Sequence, residues 1–308
     1  MFDHLDPLHK MAGVNVTIGD QLGYRDGGAF ATSPWVRSLV RQYRLPFVRV
    51  FFYPGGTRRD RLHRGMLTYI LQSGATPFIN LPYGETLANL QHYIDLIVEY
   101  CGNNEVLIEF GNEPQGAHIP LVEWITRWNA LVPALKAWGR PAYKWGGPTL
   151  NYEARAWIYH FVAHANPLPD FISWHWYPYT YGTLASFDWR TALTTVFDDL
   201  ESKVYAASSA LRDAGHPEIP QIISEYNLIA TPGNPRFHTP QHDQMPQIYQ
   251  WTQRVLDRLA SLAPHGLQGA AIWALCTFHE WELVDTPTLT LTPQGQAFFA
   301  KLSSLAQL

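Results

Sequence analysis

Two glutamates carry the chemistry this sequence offers. Glu113 follows an apolar run in VLIEFGNEPQ, Val106–Gln115, which breaks at Gly111 into an Asn-Glu-Pro turn. Pro114 stops the run and fixes the direction in which the Glu113 side chain leaves it. Glu225 ends a second apolar run, QIISEYN, at Gln221–Asn227. Two carboxyl groups facing each other across a sugar are what glycoside hydrolysis needs: one protonates the leaving oxygen, the other attacks the anomeric carbon. The two runs are far apart in sequence, so the pair meets only if both are strands of one closed sheet.

The elements that would position them alternate along the chain. Strand-like runs lie at Ala12–Gly19, Pro46–Pro54, Thr76–Gly84, Val106–Pro114, Ala142–Thr149, Phe171–Tyr179, Gln221–Asn227 and Gly269–Cys276. Helical patterns fall between them. The first has Ser33 as its cap and Pro34 as its opening residue, and runs to Tyr43. A basic amphipathic helix ends near Gly74, and the next covers Leu87–Tyr100. Pro120 opens a helix that carries Trp124, Trp128 and Leu131 and stops at Gly139. Glu153–Ala165, a long helix over Trp189–Ala214, Gln244–Leu262 and a last helix from Pro293 complete the set. Strand runs that are almost wholly apolar belong in a parallel sheet covered on both faces. Strict alternation of this kind predicts a single α/β domain over residues 1–308, a (β/α)₈ TIM barrel. An open doubly wound sheet is the rival, but it requires a glycine-rich phosphate turn after an early strand, and nothing after Gly19 supplies one.

In a barrel the chemistry gathers at the carboxyl ends of the strands. Those ends offer Arg49, Asn112 with Glu113, His175 with Tyr177, Glu225 with Asn227, and Trp273. Arg49 and Tyr177 would keep Glu225 ionised through a nearby cation and a hydrogen bond. Glu113, on a proline turn among aromatic residues, is expected to be desolvated and protonated. Asn112 is the candidate for the sugar 2-hydroxyl, and Trp273 for the floor under the ring. Trp145 and Trp281 are candidate stacking walls for the sugar, along with Tyr53, Tyr83 and Tyr179. Glu109, one layer below Glu113, reads as a buried partner for an arginine or a hydroxyl. His279 and Glu280 line the cleft or hold the eighth loop. His160 and His164 have the i, i+4 spacing of metal ligands but lack the Glu of H-E-x-x-H, so they read as a solvated helix face and no metal or other cofactor is expected.

Bulk composition narrows the partner. Twelve Trp, 16 Tyr and 15 Phe are more rings than a core of this size requires, and flat aromatic faces suit pyranose rings. A net charge of −4 without a basic block argues against nucleic acid. Cys101 and Cys276 form neither a disulfide framework nor a metal-ligand spacing. The opening MFDHLDPLHK lacks a cationic head and an apolar run, and no stretch reaches the length of a membrane span, so a cytoplasmic protein is the expectation. A trimmed secreted form would read the same.

Five strand ends together resemble a known group. E-x-x-N-E-P at Glu109–Pro114, H-x-Y-P at His175–Pro178, S-E-Y-N at Ser224–Asn227, Arg49 on the second strand and Trp273 on the eighth resemble the clan A glycoside hydrolases. The GGPT turn at Gly146–Thr149 and the S-E-Y-N form are similar to family 39, the xylosidase and iduronidase group, and family 5, with its cellulases and mannanases, is also close. Two features depart from family 39: FFYPGG follows Arg49 where a His-Gly is usual, and Gly111 stands where a Trp is usual. The resemblance implies a retaining O-glycosyl hydrolase with Glu113 as acid/base and Glu225 as nucleophile, acting on an oligosaccharide, polysaccharide or glycoside. Other readings remain open at this point. A transglycosylase shares the first step. A non-catalytic sugar-binding barrel usually lacks one of the two carboxylates. A metal-dependent hydrolase needs ligands at several strand ends, where only His175 qualifies.

Overall fold

The computed structural model describes residues 2, 4–16, 28–53, 56–180, 186–230, 245–276, 282–285 and 288–304. Eight parallel strands close into a barrel in sequence order: β1 (Gly13–Val16), β2 (Phe47–Phe51), β3 (Thr76–Leu81), β4 (Val106–Phe110), β5 (Tyr143–Leu150), β6 (Phe171–Trp176), β7 (Gln221–Tyr226) and β8 (Leu267–Cys276). β8 pairs back onto β1, with Val14 opposite Ile272. The expected (β/α)₈ TIM barrel is therefore the observed fold. The described helices are α1 (Pro7–Lys10), α2 (Gly28–Thr32), α3 (Pro34–Gln42), α4 (Gly56–Ser73), α5 (Leu87–Cys101), α6 (Leu121–Trp138), α7 (Arg155–His164), α8 (Trp189–Ala192), α9 (Val196–Asp213), α10 (Met245–Ser261) and α11 (Pro293–Ser303). None of the described helices is long and apolar enough to cross a membrane.

The helix starts follow the caps in the sequence. The Ser33 side chain accepts from the Val36 amide, and Pro34 opens α3. Thr86 caps α5 and Thr292 caps α11 in the same way. The long helix expected over Trp189–Ala214 is broken in two. Asp188 caps α8, and the chain then passes through tight turns in which the Thr194 amide donates to Thr191 O and the Asp198 amide to Thr195 O. The Thr194 hydroxyl also donates to Arg190 O at 2.6 Å, a local bond that competes with helix continuation. The short helices α1 and α2 were not apparent in the sequence.

Side chains alternate along each strand, and the two faces bury different things. The outer face packs Val14, Val48, Ile79, Ile108, Trp145, Trp174 and Ile223 against the helices. Inside, the amino-terminal end of the barrel is filled by Phe2, Phe47, Phe78, Leu107, Phe171, Ile222 and Ala271. Two glycines make room for these rings. A Cβ on Gly13 would stand 2.3 Å from the Phe47 ring, and one on Gly146 would stand 2.3 Å from the Phe171 ring. One step of two residues further along the same strands, the interior becomes polar.

Candidate active site

β4 brings Leu107 and then Glu109 inward and ends at Phe110, and Gly111, at φ +84°, starts the turn. Glu113 itself sits at φ +47°, a left-handed conformation that costs a non-glycine residue roughly 1–2 kcal/mol. Neighbouring bonds hold it there: its amide donates to Thr149 O at 2.8 Å, and the Ala117 amide donates to its carbonyl at 3.0 Å. Residues kept in such a conformation concentrate at functional sites.

Glu225 reaches the mouth by a different device. Ile222 faces the barrel interior while Ile223 and Tyr226 both pack outward, which strict alternation forbids. The β6–β7 register shifts between Trp174 and His175, and the β7–β8 register shifts between Ile223 and Tyr226. This bulge turns Glu225 inward, opposite His175 on β6.

Arg49, fully buried on β2, is the hub. Its Nε donates to Glu109 Oε2 at 2.7 Å. Nη1 donates to Glu225 Oε1 at 2.6 Å and to Asn15 Oδ1 at 3.0 Å, and Nη2 to Asn112 Oδ1 at 2.9 Å. Burial opposes the charge of Arg49, but the two carboxylates more than compensate and raise its pKa further. Tyr177 donates its hydroxyl to Glu225 Oε2 at 2.9 Å. Burial and the adjacent charge of Glu225 push the Tyr177 phenol well above its ordinary range, so it remains a donor. His175 lies between the two glutamates: Nδ1 is 2.8 Å from Glu113 Oε1, and Nε2 is 3.6 Å from Glu225 Oε1. Donor atoms of Glu113, His175 and Glu225 all lie within 4.8 Å of one another. A retaining pair of carboxyl groups stands ~5–5.5 Å apart.

The expectation that Glu113 is protonated needs correcting. Burial does raise the pKa of its carboxyl, but the hydrogen bond and charge of His175, with the charge of Arg49, outweigh burial and leave it below the usual range. The side chain is 40% exposed, so desolvation is only partial.

The remaining expected site residues divide. Arg49, Asn112, Glu113, His175, Tyr177 and Glu225 form one network, and Glu109 is the arginine partner it was read as. Trp273 borders this network. It packs edge-on against Phe51 at 6.0 Å, and Phe51 covers the Arg49 guanidinium at 4.5 Å. Tyr53 stacks on Phe51 at 5.7 Å. Asn227 has further partners. It is fully buried, donates to the Trp273 carbonyl, accepts from Gln294 Nε2 at 2.9 Å, and so ties β7 to β8 and α11. Trp145 is fully buried in the sheet–helix layer, because Gly146 beside it takes the inward position on β5. Tyr179 is buried against Phe187, and the Tyr83 hydroxyl donates to Glu123. Trp281, His279 and Glu280 lie outside the described residues. His160 and His164 are exposed on α7, the solvated face expected of them.

Two polar residues escaped the sequence reading. Asn15 bridges Arg49 to the carbonyl of Ser224, donating to the latter at 3.0 Å. Asn80 donates to Glu109 Oε2 at 3.1 Å and to Gly111 O at 2.7 Å. A single asparagine inside an otherwise apolar strand was the available signal. Glu113, His175 and Glu225 are also the side chains here that could hold a metal ion. Arg49 already supplies a counter-charge at 2.6 Å from Glu225.

No family model and no curated protein sequence matches the chain. Solved structures do match it. A monomeric β-xylosidase from Caulobacter crescentus CB15 is 14% identical with a TM-score of 0.68, over 96% of this chain and 68% of that one. A β-glucanase from Saccharophagus degradans, in complex with cellotetraose, is 13% identical with a TM-score of 0.59, over 96% and 88%. A glycoside hydrolase family 30 subfamily 8 xylanase from Clostridium acetobutylicum is 11% identical with a TM-score of 0.59, over 96% and 71%. The chain shares the (β/α)₈ barrel fold of these enzymes, the fold the motif resemblance implied.

Proposed function

We propose that this chain is a retaining glycoside hydrolase acting on O-glycosides, with Glu225 as nucleophile and Glu113 as acid/base. The observation that carries the reading is the approach of the Glu113 and Glu225 carboxylate oxygens to within 4.8 Å at the barrel mouth. In the first step a Glu225 oxygen bonds to the anomeric carbon as the glycosidic C–O bond breaks, and Glu113 delivers a proton to the departing oxygen. In the second step Glu113 takes a proton from water, the water oxygen bonds to the anomeric carbon, and the glycosyl–Glu225 bond breaks. Substrate must first cover the exposed part of Glu113, and the lost water raises its proton affinity. The hydrogen bond to His175 Nδ1 keeps that proton within reach. Asn112, anchored by Arg49, is placed for a sugar hydroxyl, and Trp273 with Phe51 for the apolar face of the ring. Solved barrels of this fold include enzymes in complex with cellotriose, cellotetraose and Manβ1-4GlcNAc, which favours a β-linked oligosaccharide or glycoside as substrate.

The test is kinetic. Glu225→Ala removes turnover of every glycoside by at least roughly 10³-fold. Glu113→Ala slows substrates with poor leaving groups far more than aryl glycosides with good ones, and added azide yields a glycosyl azide of retained configuration. Near-normal turnover by Glu225→Ala, or a product of inverted anomeric configuration, would sink the proposal. A wild-type protein that binds glycans without ever releasing product would favour the sugar-binding barrel instead.

A further inference from the structure

Glu109 is a fully buried carboxylate that the proposed reaction does not use. It stands one layer below Glu113 on β4. Its Oε2 takes Arg49 Nε and Asn80 Nδ2, while no partner reaches its Oε1. A charge without solvent or chemistry is costly, so its effect on Arg49 decides what it is for. Arginine and carboxylate favour a fork-to-fork pair with two parallel N–H···O bonds. That is not what Arg49 makes with Glu225. Nε is taken by Glu109 and Nη2 by Asn112, so only Nη1 reaches Glu225, at Oε1. Glu225 Oε2 is left to the Tyr177 hydroxyl.

We infer that Glu109 is a positioning residue acting through Arg49: it holds Nε so that the guanidinium cannot close a two-bond pair on Glu225, and its charge offsets that of Arg49. The Glu225 carboxylate is thus held by one arginine bond at Oε1 and one phenol bond at Oε2 instead of being clamped by both arms of the guanidinium. This deepens the glycosidase reading, and its role in attack rests on that reading, but its electrostatic content does not. Among the described residues, the charged and titratable groups facing Glu225 are Arg49 from β2, Glu109 and Glu113 from β4 and its turn, and His175 and Tyr177 from β6 and its end. Neutralising Glu109 removes a negative charge from this set, so proton affinity at Glu225 falls.

The experiment is a ¹³C NMR titration of protein labelled at glutamate Cδ, with the Glu225 signal identified by its loss in Glu225→Gln. In Glu109→Gln the Glu225 midpoint moves to lower pH by about tenfold in proton affinity. In Glu109→Asp, which keeps the charge, it stays within a few tenths of a pH unit of wild type. An unmoved midpoint in the Gln variant, or an equal fall in the Asp variant, overturns the inference. If the Gln variant does not fold, Glu109→Met, which removes the charge at similar length, replaces it with the same expected fall, and an unmoved midpoint there overturns the inference. A parallel pH profile of kcat/KM on an aryl glycoside shows both limbs of the Gln variant displaced to lower pH, with kcat reduced more than KM is changed. A wild type that hydrolyses no glycoside while the NMR midpoint shifts defeats the glycosidase reading and leaves the electrostatic role of Glu109 standing. Normal hydrolysis with an unmoved midpoint does the reverse.

Discussion

The two ends of the barrel interior are built from the same strands and do opposite work. On β2, Phe47 fills the amino-terminal end while Arg49, two residues on, is the hub of the polar network. On β3 the pair is Phe78 and Asn80, on β4 Leu107 and Glu109, and on β6 Phe171 and, four residues on, His175. On β2, β3 and β4 a step of about 7 Å, and on β6 one of about 13 Å, thus passes from packed apolar side chains to polar ones. Apolar packing is concentrated below and the polar network above, where most buried polar atoms are paired and Glu109 Oε1, His175 Nε2 and the Ser224 hydroxyl are the exceptions.

Substitutions can break that division of labour. Phe47→Ala, at the centre of the lower cluster, is expected to cost about 3–5 kcal/mol in urea unfolding while leaving the pH profile of turnover unchanged. A change in that profile would mean the two halves are not separable. His63, whose Nε2 accepts from the Tyr53 amide at 3.3 Å while its Nδ1 has no partner, tests whether a half-paired polar group outside the mouth behaves differently. It is fully buried, lies against Phe52 at 4.1 Å, and burial pushes its pKa down to about 4, with Asp60 opposing and too weak to reverse this. A histidine depressed in the folded state contributes stability in full above its unfolded value of ~6.5, and loses it as pH falls toward about 4. Wild type should therefore lose ~3 kcal/mol more than His63→Leu across that window, read from denaturant midpoints. Equal pH slopes would show that the ring is solvated. Gly146→Ala drives a methyl into the Phe171 ring and should cost roughly 1–3 kcal/mol, although the residue touches no catalytic group. The smallest effect belongs to the strained position. Both Glu113→Gly and Glu113→Ala lose the acid, but the glycine variant should be more stable by ~1 kcal/mol, because only glycine occupies φ +47° without penalty. Equal melting temperatures would place the strain elsewhere.

Much of this division was legible in the sequence. Apolar runs and caps located all eight strands and most helices, since burial on both faces leaves a strong signature. Arg49, Asn112, Glu113, His175, Tyr177 and Glu225 were legible because strand ends in a barrel share one rim. The misses have specific causes. Trp145 was assigned to the mouth because aromatic residues suit sugars, but the parity of β5, with Gly146 inward, turns it toward the helices. Asn227 was assigned to the site as the residue two beyond Glu225, but β7 ends at Tyr226, and past the strand end alternation no longer sets a side chain's direction. The lowered proton affinity of Glu113 comes from His175, a contact between strands that no local pattern encodes.

The floor of phenylalanine rings beneath Arg49 also governs traffic. Phe47, Phe78 and Phe171 are wholly covered, so the described barrel is plugged at its amino-terminal end, and molecules that reach Arg49 come and go past the carboxyl ends of the strands, its doorway. Under the proposed reaction a departing alcohol and an arriving water must use that doorway in turn. A sluggish alcohol then delays the next event, and a crowd of alcohols at the threshold intercepts the sugar before water reaches it.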